Sequence, residues 1–292
     1  MPGNQPPLLE AKDVRLDEQG TPQVDGLSFA TQGNHVVILG APRALFEAAA
    51  GMRSPACGEL SLLGTPCANA LASRHVAGAP LDPALPPKWT PQRYVEWSAR
   101  LAGHSRSEAR THAQQALQAL ELTALAQAPL GPAPLAARRA TVLAAAMATQ
   151  AHVLVFEDPT LGLPEAGYRA LSRILARALH SRPWLLFAAR APLDTPLCLD
   201  ADEAVVLLGS RVVAQGLPSE LAARGRTYAV RVAGDVPTFA SLVMARGARV
   251  EASGSELTLE LGDSLGTRDL LELANQARSI IVELRPLARA FA

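Results

Sequence analysis

The residues best placed to do chemistry follow two apolar runs. Val36-Val-Ile-Leu39 leads into Gly40-Ala-Pro-Arg43, and Val153-Leu-Val-Phe156 leads into Glu157-Asp158-Pro159. A glycine turn between a buried strand and a helix can cradle phosphate with its backbone N–H groups. A carboxylate at a strand end can orient a Mg²⁺ shell or position an attacking water. A phosphate loop, however, needs G-x-x-x-x-G-K-[ST], whose Lys reaches the outer phosphates and whose hydroxyl binds Mg²⁺. Here the chain reads Gly40-Ala-Pro-Arg-Ala-Leu-Phe-Glu-Ala-Ala-Ala-Gly51, without the inner glycines, the Lys or the hydroxyl. Pro42 donates no N–H. Arg43 is the one cation in the stretch, and Glu47 adds a repelling charge. Charge-assisted bonds to phosphate contribute about 1.5–3 kcal/mol each, so losing three predicts binding weaker by roughly 5–9 kcal/mol. The acidic pair also has a plain structural reading, as a cap on the turn that follows its strand.

Other chemistry is sparse. His104 and His112 stand eight residues apart in one helical region, without a third ligand near them, and are expected to be solvated. Three cysteines occur, none in a C-x-x-C pair, which excludes a disulfide scaffold or zinc cluster and fits a reducing compartment. Cys57 and Cys67 flank a strand and are expected to be buried thiols. Gly209-Ser210 lies in a hairpin pattern, not a nucleophile elbow. No metal site is expected.

The elements that carry these residues are readable from pattern. Leu8–Leu16, Leu27–Ala30, His35–Leu39 and Gly58–Gly64 read as strands, and Arg43–Ala50 reads as a helix. Thr90-Pro91 opens a helix with Thr90 as N-cap, and Tyr94, Trp97 and Leu101 form an apolar stripe, read as helical-layer core. Ser105-Arg-Ser-Glu108 is a capping box that starts a second helix, and Arg138–Ala148 is a third, alanine-rich one. Beyond Val153–Phe156, a helix from Glu165 to His180, a strand at Trp184–Ala188 and a hairpin around Gly209-Ser210 follow. After Arg226 the order becomes β-α-β-β-α-β, the ferredoxin-like arrangement.

With 292 residues the chain has room for a main domain and a small one, and 49% hydrophobic against 18% charged residues excludes a disordered chain. Lys+Arg and Asp+Glu are both 27, which argues against a general electrostatic grip on nucleic acid or anionic lipid. No signal peptide is read at Met1–Asp13, and no apolar run approaches the roughly 20 residues of a spanning helix.

From Leu8 to Leu221 the landmarks resemble the ATP-binding subunit of ATP-binding-cassette (ABC) transporters. Leu27-Ser-Phe29 and His35–Gly40 look like the strand entering that family's phosphate loop. Gly51 and Gly58-Glu59 look like its "AG…SGE" stretch. Glu157-Asp158-Pro159-Thr160-Leu161-Gly162-Leu163 looks like its "DEPTSGLD". Asp202–Gly216 looks like "ADRVLVLRDGRVVAEG", with Pro218 and Glu220 in register. The tail from Tyr228 resembles the small C-terminal domain of some exporter-type members.

The resemblance implies an α/β fold. A RecA-like ABC core with an antiparallel β-subdomain and a helical subdomain (about 72–150) would span 1–226, and a ferredoxin-like α+β domain 227–292. It also implies where the family's working residues fall, and this chain departs at each. The Asp-Glu pair is inverted as Glu157-Asp158. The loop Gln falls at Leu81 and the switch His at Arg190. The signature loop falls within Leu130–Ala137, without its Ser and paired glycines, and the D-loop Asp falls at Pro164. The candidate catalytic positions are Glu157, Asp158 and Arg190, and the candidate nucleotide positions Gly40, Arg43 and Leu81.

These departures predict a non-catalytic cassette subunit that docks a membrane-embedded transporter subunit through Leu81, Leu85, Trp89, Tyr94 and Trp97. It would pair with a second cassette and sit at the inner, cytoplasmic face of the membrane through its partner. No resident cofactor and no nucleic-acid partner are expected, and loose Mg-ATP binding stays open. Two alternatives stand beside it: an active ATPase using Arg43, Glu157 and Asp158 in unusual roles, and a soluble scaffold on an ABC fold.

Overall fold

A computed structural model describes residues 6–18, 20–189, 191, 193, 195–224, 227–253, 256–261 and 265–286. The chain divides into two compact units, Met1–Pro218 and Ser219–Ala292, upstream of the boundary expected at 226.

In the first unit the chain forms β1 (Leu9–Glu18), β2 (Thr21–Ala30), β3 (His35–Leu39), α1 (Arg43–Ala49), β4 (Cys57–Leu62), β5 (Thr65–Pro66), α2 (Cys67–Ala72) and β6 (Val76–Ala79). It continues through α3 (Pro91–Leu101), α4 (Arg106–Ala119), α5 (Leu135–Ala148), β7 (Val153–Glu157), α6 (Glu165–Leu179), β8 (Trp184–Ala188), α7 (Pro196–Leu199), β9 (Glu203–Leu208) and β10 (Arg211–Gly216).

The main sheet has the order β10-β9-β3-β8-β7-β6. Its five inner-to-edge strands β9, β3, β8, β7 and β6 run parallel, and β10 closes the other edge antiparallel. Parallel strands are covered on both faces, which is why β3, β7 and β8 are unbroken apolar runs rather than alternating ones. A second, antiparallel sheet has the order β2-β1-β4-β5. Its inward residues Leu9, Val14, Leu16, Leu27 and Leu60 join α1 and β3 in one core.

β6 falls inside the stretch expected to be helical from about residue 72. It is short and lies on the sheet edge, paired to β7 from Val76↔Val153 to Ala79↔Phe156, so the helical layer proper begins at α3. Thr90 caps α3 by accepting from the Arg93 N–H, and Ser105 and Glu108 form the capping box of α4. α3, α4 and α5 pack on one another. In α5 every residue from Arg139 to Ala148 is buried, which small alanines permit by letting neighbours approach closely.

The aromatic stripe corrects the sequence reading. Pro91, Val95 and Ala99 form the buried face of α3, whereas Trp97 and Leu101 are exposed and Tyr94 is half-buried. The 3.6-residue period places Val95 and Ala99 on the core side, and small side chains there suit close contact with α5. Cys57 also departs from expectation: it is exposed, while Cys67 is buried and its thiol is pushed up to about 12 by loss of solvent. His104 and His112 are half-buried and touch edge-to-face at 4.7 Å, and His104 Nε2 lies 2.9 Å from the Thr149 carbonyl. They are therefore partly rather than fully solvated. Among the described residues no group of three or more His, Cys, Asp or Glu could hold a metal ion.

In the second unit α8 (Pro218–Arg224) leads to β11 (Thr227–Ala233), α9 (Val236–Ala245), β12 (Arg249–Ser253), β13 (Glu256–Glu260), α10 (Thr267–Gln276) and β14 (Ile280–Pro286). The sheet order β12-β13-β11-β14, all antiparallel, is the ferredoxin-like one. Val230, Phe239, Val243, Leu257, Leu259, Leu270 and Leu273 make its own core.

Candidate functional site

The two chemistry-bearing turns lie at the C-terminal ends of β3 and β7, the edge where open parallel α/β sheets place their ligands. β3 is followed by Gly40, whose φ of 72° is left-handed and whose Cα faces the Leu207 carbonyl oxygen so closely that a Cβ has no room. α1 starts directly after it. Its N-cap position is Pro42, with no side-chain cap, and the Leu45 N–H already donates to the Pro42 carbonyl at 2.9 Å. This turn is therefore a tight strand-to-helix connection.

The charges beside it face one another. Arg43 Nε lies 3.2 Å from Glu47 Oε1 and 3.9 Å from Glu157 Oε1. Glu47 is also held by Arg53, at 2.7 Å, and Arg53 donates to the Asp17 carbonyl. Glu157 Oε2 accepts the Leu81 N–H at 2.8 Å. The cation, both carboxylates and the position of the family's loop Gln thus make one internal network.

Asp158 is turned the other way. It is buried, and its Oδ1 accepts the Thr160 N–H at 2.8 Å and the Thr160 hydroxyl at 2.5 Å. Burial raises its pKa above the usual carboxylate range, against the lowering effect of the Thr160 bonds. It caps the turn after β7, as the plain structural reading of the acidic pair has it.

Arg139 is the residue that sequence reasoning missed. It is buried on α5 and makes a two-pronged pair with Asp82, at 3.1 and 3.0 Å, while also donating to the Pro159 and Leu161 carbonyls. Asp82 is pulled below its ordinary value chiefly by its hydrogen bond with Arg139. One guanidinium therefore ties together α5, the segment after β6 and the segment after β7. The signal was present: an arginine inside the apolar, alanine-rich run 138–148 has to find a partner.

The sites named from sequence do not all converge. Gly40, Arg43, Leu81, Glu157 and Asp158 share one end of the sheet, whereas Arg190 lies outside the described residues. The docking residues divide among three places. Leu81 and Leu85 line a groove of about 470 Å³ together with Leu130, Leu135, Arg138 and Val142. Tyr94 lines a second groove of about 450 Å³ with Leu71, Arg74, Val76, Leu101 and Ala146. Trp89 and Trp97 line neither; they meet edge-to-face at 5.6 Å on the outside of α3. The residues expected to dock a partner thus line two grooves, which share Pro83 and Val142, rather than one continuous surface.

The comparisons with known proteins agree with this architecture. No family model matches the chain. A Nod factor export ATP-binding protein I of Ralstonia nicotianae is 27% identical over 261 residues, covering 86% of this chain and 80% of the relative. The protein of the same name in Burkholderia thailandensis is 29% identical, covering 68% and 67%. The SkfA peptide export ATP-binding protein SkfE of Bacillus subtilis is 25% identical over 53% of this chain. The structure of cbiO1 from Clostridium perfringens, part of the ABC transporter complex cbiONQ, superposes with a TM-score of 0.63 at 20% identity, covering 74% of this chain and 91% of that one. The ATP-binding subunit of another ABC transporter superposes at 0.59 and 19%.

The chain is a homologue of ABC transporter ATP-binding subunits and has the ABC ATPase fold. The Gly40–Arg43 turn follows β3 and Glu157-Asp158 follows β7, at the same end of the parallel sheet. Among the described residues, no helix is long and apolar enough to cross a membrane.

Proposed function

We propose that this chain is the cassette subunit of an export-type ABC transporter whose own nucleotide site has ceased to operate, and that it works by docking. It would hold a membrane-embedded subunit at the cytoplasmic face and pair with a second cassette. The export reading follows the curated relatives, all named as export ATP-binding proteins. The loss of nucleotide chemistry is argued from one observation: Arg43, the one cation of the turn, faces the carboxylates Glu47 at 3.2 Å and Glu157 at 3.9 Å, and Glu157 also accepts the Leu81 N–H. An anion entering here would have to break the Arg43 pairs and would find neither the Lys nor the glycine amides that repay such a cost.

A preserved fold with a self-paired site suits a subunit kept for its contacts. The two grooves offer concave surface of mixed polarity, one between β6, α3 and α5 and the other between the β6–α3 connection and α5, where a partner helix could seat. Calorimetry of the full chain with Mg-ATP at millimolar concentration tests the reading. The expected result is no heat of tight binding and no release of phosphate. A dissociation constant in the low micromolar range, abolished by Arg43→Ala, would restore the active-ATPase alternative.

A further inference from the structure

We propose that the outer ridge of α3, made by Arg93, Trp97, Arg100 and Leu101, is a contact surface for the anionic headgroup layer of a lipid bilayer. These four residues recur at i, i+4, i+7 and i+8, which places them on one side of the helix, away from the buried Pro91, Val95 and Ala99. Trp97 is 46% and Leu101 65% exposed, large values for such side chains, and both arginines are exposed as well.

The ridge residues carry two cations and no anion, with Glu96 on the flank between Arg93 and Arg100. Neither Arg93 nor Arg100 has a carboxylate within ion-pair distance among the described residues. Lys88 precedes the helix, and the Arg74 guanidinium lies against Gly103 just beyond its end. The one acid of α3, Glu96, accepts a hydrogen bond from Gln92 one turn back. A chain of zero net charge has therefore gathered cations around an exposed tryptophan and leucine. Arg93 stands over the Trp89 ring at 4.5 Å, and Trp97 meets both Trp89 and Tyr94, so the ring cluster is held together rather than free to fold inward.

Shape decides between a lipid and a protein occupant. Protein anchors fill pockets, and the concave surface here belongs to the two grooves. Of the ridge only Leu101 borders a groove; Arg93, Trp97 and Arg100 line neither, and they need a surface that yields around them. Headgroups do so, and they favour amphipathic Trp and Tyr rings at their depth with Arg beside anionic lipid. The proposal goes beyond the docking function, and it needs no transporter subunit to be tested.

The test mixes the full chain with vesicles of phosphatidylcholine, with and without phosphatidylglycerol, and reads co-sedimentation and tryptophan emission. Trp184 is fully buried, so an emission change reports Trp89 and Trp97. The chain should sediment with the anionic vesicles alone, release at high salt, and shift its emission to shorter wavelength. Each arginine raises partitioning about five-fold, so Arg93→Gln with Arg100→Gln should lower it roughly 25-fold. Trp97→Ser with Leu101→Ser should remove the emission shift. Both variants change exposed residues and should keep the thermal midpoint, which circular dichroism checks. No binding to anionic vesicles, equal binding to neutral ones, or binding that the variants leave unchanged would overturn the proposal. So would variants that lose a co-expressed membrane subunit when the full chain ignores vesicles, an outcome that gives the ridge to a protein. Failure with vesicles leaves the docking function standing.

Discussion

A guanidinium carried into an alanine-rich helix must meet its partners there, because burying it unpaired costs several kcal/mol. Arg139 meets three: the exposed Asp82 carboxylate and two carbonyls after β7. The asymmetry of exposure, 7% against 56%, sets the outcome of cutting the pair. Asp82→Asn leaves a buried cation short of its counter-charge and should destabilise the chain by about 1–3 kcal/mol, more than an ordinary surface change. Arg139→Met in that background should restore part of the loss. The pH dependence follows from Asp82 being held below its ordinary value. Its stabilising effect is fully present above the usual carboxylate range and disappears as pH falls through the lowered folded value. Thermal melts of the parent and Asp82→Asn should therefore differ at neutral pH and converge in acid. A difference independent of pH would mean that charge is not what Asp82 supplies. Asp158, raised by burial, has the opposite dependence, but it is common to both chains and cancels.

Between elements, the connection from β6 to α3 is the one on which the proposed docking depends. It contains Pro80, Pro83, Pro86 and Pro87, so little conformational freedom is left to lose on binding. It is tied down at its far end, where the Leu130 N–H donates to the Trp89 carbonyl at 2.8 Å and the Gly131 N–H to the Pro87 carbonyl at 2.9 Å. Arg139 fixes its near end through Asp82. The loop is thus a preformed wall of the Leu81–Leu85 groove. Leu85 is half-buried there, and Leu85→Asp should cost about 1 kcal/mol, a fall in thermal midpoint of roughly 2–4 °C. Co-purification with the co-expressed membrane subunit should nevertheless be lost. Retained co-purification would remove this groove from the docking surface, and global unfolding would make Leu85 a core residue.

At the scale of the whole chain the two units have separate cores, one gathered on β1, β3 and α1 and the other on β11, β13, α9 and α10. A segment of residues 219–292 expressed alone should therefore give the far-ultraviolet spectrum of a mixed α+β fold and melt cooperatively. A random-coil spectrum would show that the small unit depends on the large one. Much of this arrangement is written in short-range pattern. The unbroken runs of β3 and β7, the caps at Thr90 and Ser105, the Gly209-Ser210 hairpin and the final β-α-β-β-α-β order depend on residues within a few positions of each other. The same local reading showed the missing Lys and hydroxyl after Gly40. It failed for α3, where Tyr94, Trp97 and Leu101 keep a helical spacing that suits an inward or an outward face equally. Only packing against α5 chose Val95 and Ala99 for the inside. It missed β6, whose four residues carry no period of their own until β7 pairs with them. The site was decided at longer range still. Leu81 and Glu157 stand 76 residues apart and Asp82 and Arg139 stand 57 apart, so their bonds exist only once sheet and helical layer have closed. Sequence alone determined that no Lys and no hydroxyl follow Gly40 in the β3–α1 turn, since that is local. Tertiary structure decided what the remaining charges do instead, since a buried charge is satisfied by whatever the fold brings within about 3 Å of it.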